Sequence, residues 1–175
     1  MAVATLKCLK CCGTNAANET DCSKNPLFLS GDTSSASKTT YPVAVPRTAG
    51  ANYSYELWIR YELDTPPDSY LQNFKIYGPD TRPDESGAQK LSIYLGTTDS
   101  GVTPTDSQSS IATLRADINY YSPGTACDMG VTPGDGKLEA SGEKTNYIVM
   151  QLKVEQGAQS GSMTTQAFTL LYDEV

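Results

Sequence analysis

The chain has 175 residues, enough for one domain plus an appended segment, with a core that needs neither metal nor disulfide to hold it together. Its net charge of −7 is uneven: residues 1–50 carry 5 basic and 3 acidic side chains, while residues 51–175 carry 8 and 17. An acidic body repels a phosphate backbone, so nucleic-acid binding is disfavoured. With no histidine, the commonest general base and most catalytic zinc sites are missing.

The first 24 residues, MAVATLKCLKCCGTNAANETDCSK, hold four of the five cysteines. They show no charged-then-apolar start ending in a cleavage site, and the chain has no 18-residue apolar stretch. The expectation is a protein made in the cytoplasm, with no secretory signal and no membrane partner. Cys8, Cys11, Cys12 and Cys22 give C-x-x-C-C and a later Cys; Cys127 stands far along the chain. Three accounts are open. A C-x-x-C knuckle followed by Gly13 is half of a zinc site, with Cys22 or Cys127 to complete it. Alternatively, disulfides join the leading segment to the Cys127 loop of its own or another subunit, which requires oxidation after synthesis. The third account is free thiols. The reading favours tethering by disulfide and expects no cofactor.

Residues 1–40 read as an extended, cysteine-containing N-terminal arm, because between Cys11 and Thr40 the compact apolar cluster is Leu27, Phe28 and Leu29. So little apolar surface does not offset the entropy of ordering thirty residues unless another surface receives it. Those three residues are the expected partner-binding anchor. On this view, removing residues 1–40 leaves a folded body that no longer assembles.

From Tyr41 the pattern turns to period two, giving a domain over 41–175. The first expected strand is YPVAV (41–45). In ANYSYELWIRYEL, Tyr53, Tyr55, Leu57, Ile59, Tyr61 and Leu63 share one face, and Ser54, Glu56, Trp58, Arg60 and Glu62 the other. Further strands are expected at 71–78, 90–96, 109–121 and 166–174, with a weaker signal at 137–142. In NYIVMQLKVEQ, Ile148, Met150, Leu152 and Val154 alternate with Val149, Gln151, Lys153 and Glu155. Connectors such as DTPPDS, GPDTRPDESG, SPGT and TPGDGK carry turn chemistry. The fold class is therefore all-β: an antiparallel β-sandwich, jelly-roll or Ig-like, of seven to eight strands.

Chemistry is sparse. Carboxylate pairs could serve glycoside hydrolysis, with Glu56 and Glu62 or Asp173 and Glu174 as candidates, but the first pair sits on an ordinary polar strand face. Asp80, Asp84, Glu85 and Asp135 offer calcium-type oxygens on turns without the regular spacing of an EF-hand. No catalytic residue is assigned, and the chain is not expected to be an enzyme. Trp58 and Arg60 lie on the polar face and are expected at a partner surface, with Tyr77 and Tyr94 beside them. That face has a blander explanation, burial under a second layer or the arm, because one of the two faces of a long strand must be covered by something outside the main core.

Across residues 50–175, YELWIRYEL, FKIYGP, LSIYLGTTDSGVTPTDSQSSIAT and YIVMQLKVEQGAQSGSMTTQAFTLLYDEV resemble small β-sandwich structural proteins of tailed bacteriophages. The resemblance rests on Leu57, Trp58 and Arg60; Tyr94, Gly96 and Thr97; Val149, Gln151 and Leu152; and Tyr172, Asp173 and Glu174. It implies a non-enzymatic virion component, a capsid decoration or cement protein or a tail-surface protein, made in the host cytoplasm. Its implied partners are copies of itself and a capsid or tail protein. The alternative is a carbohydrate-binding or host-adhesion module that stacks glycans on Trp58, Tyr77 and Tyr94.

Overall fold

The structure is a computed structural model describing residues 3–22, 27–34, 37, 39–78, 91–101, 103–105, 116–117, 122–132, 134–161 and 167–175. It is all-β, with two antiparallel sheets facing each other across a common core. The larger sheet runs β2 (Asn18–Asp21), β1 (Thr5–Cys12), β4 (Leu57–Thr65), β12 (Tyr147–Glu155), β6 (Leu91–Thr98) and β7 (Ala116–Asp117). Three short strands join it: β3 (Ala51–Tyr53) pairs with β12, β11 (Lys144–Thr145) with β4, and β9 (Val131–Thr132) with β11. In the smaller sheet β5 (Leu71–Tyr77) is central. It pairs with β13 (Thr169–Glu174), β10 (Lys137–Leu138) and β8 (Cys127–Asp128). The two-residue strands raise the number of strand segments above the seven or eight expected, but the sandwich itself is as the alternation requires.

The period-two pattern explains the core directly. Leu57, Ile59 and Leu63 of β4 and Ile148, Met150, Leu152 and Val154 of β12 point inward, against Leu71, Phe74 and Ile76 of β5 and Leu138 of β10. The inward faces of β4 and β12 are those read from the sequence; in β5 the alternation breaks between Leu71 and Phe74, where Asn73 takes a φ of 56°. The strand expected over 53–63 is interrupted at Ser54–Glu56. Leu57 lies four positions after Tyr53, but their partners Met150 and Lys153 are three positions apart, so one extra residue bulges out. Ser54 repairs the ladder there: its N–H donates to the Leu152 carbonyl, and its hydroxyl accepts from the Leu152 N–H at 3.1 Å.

Two expectations are corrected. Residues 41–45 form no strand, although Val43 and Val45 pack against the core. Pro42 and Pro46 remove two ladder donors and hold the chain out of regular pairing. The larger correction concerns the arm. Residues 5–21 are not an extended arm but a hairpin integral to the larger sheet, with Leu6↔Leu63 through Cys11↔Trp58 in register along β4. The cysteines behave here as small apolar strand residues: Cys8 faces the main core with Ala4 and Leu6, and Cys11 faces the opposite side. Counting them as ligands concealed the alternation. The expected strand over 109–121 lies outside the described residues except for β7.

Candidate functional site

The outer face of the larger sheet is where the sequence placed its candidate partner residues, and it is covered. A second apolar cluster there joins Cys11 of β1, Ala16, Trp58 of β4, and Tyr147 and Val149 of β12. Ala16 comes from the short 3₁₀ turn η1 (Thr14–Ala16) at the tip of the β1–β2 hairpin. Cys11, Trp58 and Val149 lie directly across from one another on three adjacent strands, and η1 folds over them. The turn requires left-handed backbone at Gly13 (φ 77°), and a Cβ at Gly13 would sit 2.4 Å from the Asn18 amide. Gly13 also donates its N–H to Asp32 at 2.8 Å, which ties the hairpin tip to the following loop.

Trp58 is therefore not a partner-binding residue on an open face. It is 0% exposed, packs edge-on against Tyr147 with ring centroids 5.3 Å apart, and donates its indole N–H to Glu56 Oε2 at 2.9 Å. Its burial also removes the central member of the expected glycan-stacking platform. Tyr77 is half-buried, and the side chain of Tyr94 lies outside the described residues.

Arg60 is likewise engaged within the chain. Its guanidinium lies 4.6 Å from the centre of the Tyr147 ring and forms an ion pair with Glu19 of β2. Lys144 of β11 reaches the same Glu19 at 2.6 Å and Glu62 at 3.2 Å. Two cations and two carboxylates thus form a half-buried network that pins β2 to β4 and β11. Burial alone would raise the Glu19 carboxyl, but the hydrogen bonds from Lys144 and Arg60 outweigh it and hold the group below the usual carboxylate range.

The carboxylate candidates separate into structural roles. Glu56 is buried beneath Trp58, Glu62 serves Lys144, and Asp173 is exposed and accepts from the Asn73 amide at 2.6 Å. Of the calcium-type residues, Asp80, Asp84 and Glu85 lie outside the described residues, and Asp135 caps its own turn by accepting from the Lys137 N–H.

Of Leu27, Phe28 and Leu29, the expected external anchor, Phe28 and Leu29 dock on the chain's own body, and Leu27 is half-buried. Leu29 is buried, its carbonyl accepts from the Tyr55 N–H at 2.8 Å, and Phe28 packs against the main core.

All five cysteines are thiols. The zinc knuckle that C-x-x-C spacing predicts is not formed: Cys8 and Cys11 stand on a strand, three residues apart, and therefore face opposite sides of the sheet. Among the described residues no group of three or more metal-ligating side chains comes together. Cys127 is buried in β8, and the burial of Cys11 pushes its thiol up to about 12. The sulfur contact among these residues is between Cys8 and Cys22, at 3.2 Å.

Among the described residues, the smaller sheet has an open edge at β13. Among the described residues β13 pairs with β5 alone, and Leu171, Tyr172 and Val175 are 40%, 39% and 53% exposed. The sequence predicts this strand as one more sandwich strand, since nothing in its alternation distinguishes an edge from a centre. No protein-family model, no curated protein and no solved structure matches the chain.

Proposed function

We propose that this chain is a non-enzymatic structural protein that assembles on a particle surface through repeated protein–protein contacts, as a capsid decoration, cement or tail-surface component of a virion. The observation that carries this reading is the β13 edge: a terminal strand at the end of the smaller sheet with exposed Leu171, Tyr172 and Val175. An apolar sheet edge offers both backbone hydrogen bonds and side-chain contact to another chain. In a lattice each such contact can be modest, because many act together. The resemblance of residues 50–175 to phage β-sandwich proteins supports the particle assignment, and the absence of histidine is consistent with a contact role.

The N-terminal segment takes a different part from the one the sequence suggested. It completes the protein's own outer layer, so the contact surface moves to the other end of the chain. The test is to ask whether the purified chain, incubated with capsids or tails lacking it, co-sediments at a fixed copy number per particle. Saturable binding that is lost in Leu171→Asp, Val175→Asp is expected. A chain that stays monomeric and unbound at every concentration overturns the reading.

A further inference from the structure

We propose that Cys8 and Cys22 form a dithiol site that reacts with low-molecular-weight disulfides and closes into an intrachain disulfide, clamping the N-terminal hairpin. This inference stands independently of the particle assignment. Three observations carry it. Leu9↔Asp21 is the last register pair of β1 and β2, so Cys8 lies directly opposite Cys22 one step further on. The Cys22 N–H donates to the Cys8 carbonyl at 2.8 Å, continuing the ladder through this pair. The two sulfurs are already in contact at 3.2 Å.

Directly opposed hydrogen-bonded residues have Cα atoms about 5.5 Å apart, within the span a disulfide bridges. Closure therefore needs no rearrangement of the strands. The other three cysteines are placed differently: Cys11 lies across from Trp58 under η1, Cys12 is buried with its thiol toward the Asn18 carbonyl, and Cys127 is buried in β8. Both members of the proposed pair are only half-buried.

The order of the chemistry follows from their surroundings. Either sulfur can donate in this contact; when Cys8 donates, the thiolate of Cys22 is favoured and its titration lowered, while the same contact, together with burial, pushes the Cys8 thiol up. Cys22 is thus the attacking thiolate. It displaces one sulfur of a glutathione-type disulfide; that sulfur leaves as a thiolate with the bonding electron pair and is protonated by solvent. Cys8 then loses its proton to water and attacks the Cys22 sulfur of the mixed disulfide, releasing the second small thiolate. Two protein thiols are oxidised to one disulfide, and one small disulfide is reduced to two thiols. The bridge fixes β2 against β1 and so holds η1 over Trp58 and Glu19 against Arg60.

The test uses the full chain equilibrated in graded ratios of oxidised to reduced glutathione, quenched with N-ethylmaleimide. Digestion at lysines and before aspartates puts Cys8, the Cys11–Cys12 pair and Cys22 on separate peptides. The expected result is a Cys8–Cys22 cross-linked peptide, with Cys11, Cys12 and Cys127 recovered as thiols, and a melting temperature higher by about 5 to 10 °C in the oxidised chain. In Cys8→Ser, a glutathione adduct should accumulate on Cys22, since the resolving thiol is gone. The proposal is overturned if Cys22 couples to a cysteine other than Cys8, if the wild-type chain stops at a stable Cys22 adduct, or if both thiols stay unreacted in fully oxidised glutathione.

Discussion

Trp58 shows how a single side chain can belong to two different arguments. On a strand diagram it sits among Glu56, Arg60 and Glu62, and looks like a surface aromatic. In the folded chain its ring fills the space between Cys11, Val149 and Tyr147, and its N–H is satisfied by Glu56. Trp58→Ala should destabilise the fold by about 3 to 5 kcal/mol, read as a lower urea midpoint, because a large buried ring leaves a cavity and Glu56 loses its donor. As the single tryptophan, it should also emit at short wavelength and resist acrylamide quenching in the native state. Glu19 gives a second residue-scale prediction, through pH. Its carboxyl is held below the ordinary range in the fold, so it binds fewer protons there than in the unfolded chain. The stability it contributes is complete above the ordinary carboxylate range and is lost as pH falls through the lowered value. Glu19→Gln should cost about 1 to 2 kcal/mol at neutral pH. In urea titrations that difference should shrink as pH falls through the lowered value, below which both chains carry a neutral group at position 19.

At the scale of elements, the β1–β2 hairpin behaves as part of the sandwich. It supplies the strand beside β4, the apolar cover over Trp58 and the carboxylate that neutralises Arg60 and Lys144. Removing residues 1–22 should therefore uncover Trp58 and Val149 and leave the edge of β4 unpaired. We expect a chain that binds hydrophobic dye and has lost its cooperative thermal transition by circular dichroism. A truncated chain that melts like the full-length protein would show that the hairpin is dispensable. Much of the remaining element pattern was legible beforehand: β4, β5, β6, β12 and β13 lie where alternating apolar residues placed them. The two misreadings have separate causes. YPVAV has strand composition, but Pro42 within it and Pro46 after it lack the donors a ladder needs. TLKCLKCC alternates over Thr5–Cys8 when cysteine is counted as a small hydrophobe, but the alternation lapses from Leu9 onward.

For the whole molecule, the consequence is a larger sheet buried on both faces at its centre, facing a smaller sheet that among the described residues is open at its β13 edge. The inner face meets the smaller sheet, the outer face meets the chain's own beginning, and β13 remains exposed. Replacing Leu171 and Val175 with aspartate should weaken self-association or particle binding in light-scattering and sedimentation measurements. The melting temperature should stay within a few degrees of wild type, since neither residue is part of either buried cluster. A large loss of stability would mean that this edge is structural. By itself the sequence determined the class and the inward residues, because side-chain alternation along an extended chain is a local property that survives without knowledge of neighbours. It also excluded histidine-based catalysis, a matter of composition alone. Only the tertiary structure decided what lies against the other face. That depends on pairing residues 5–12 with 57–65 across a long stretch of intervening chain, and alternation records which side chains share a face without recording what comes to cover it.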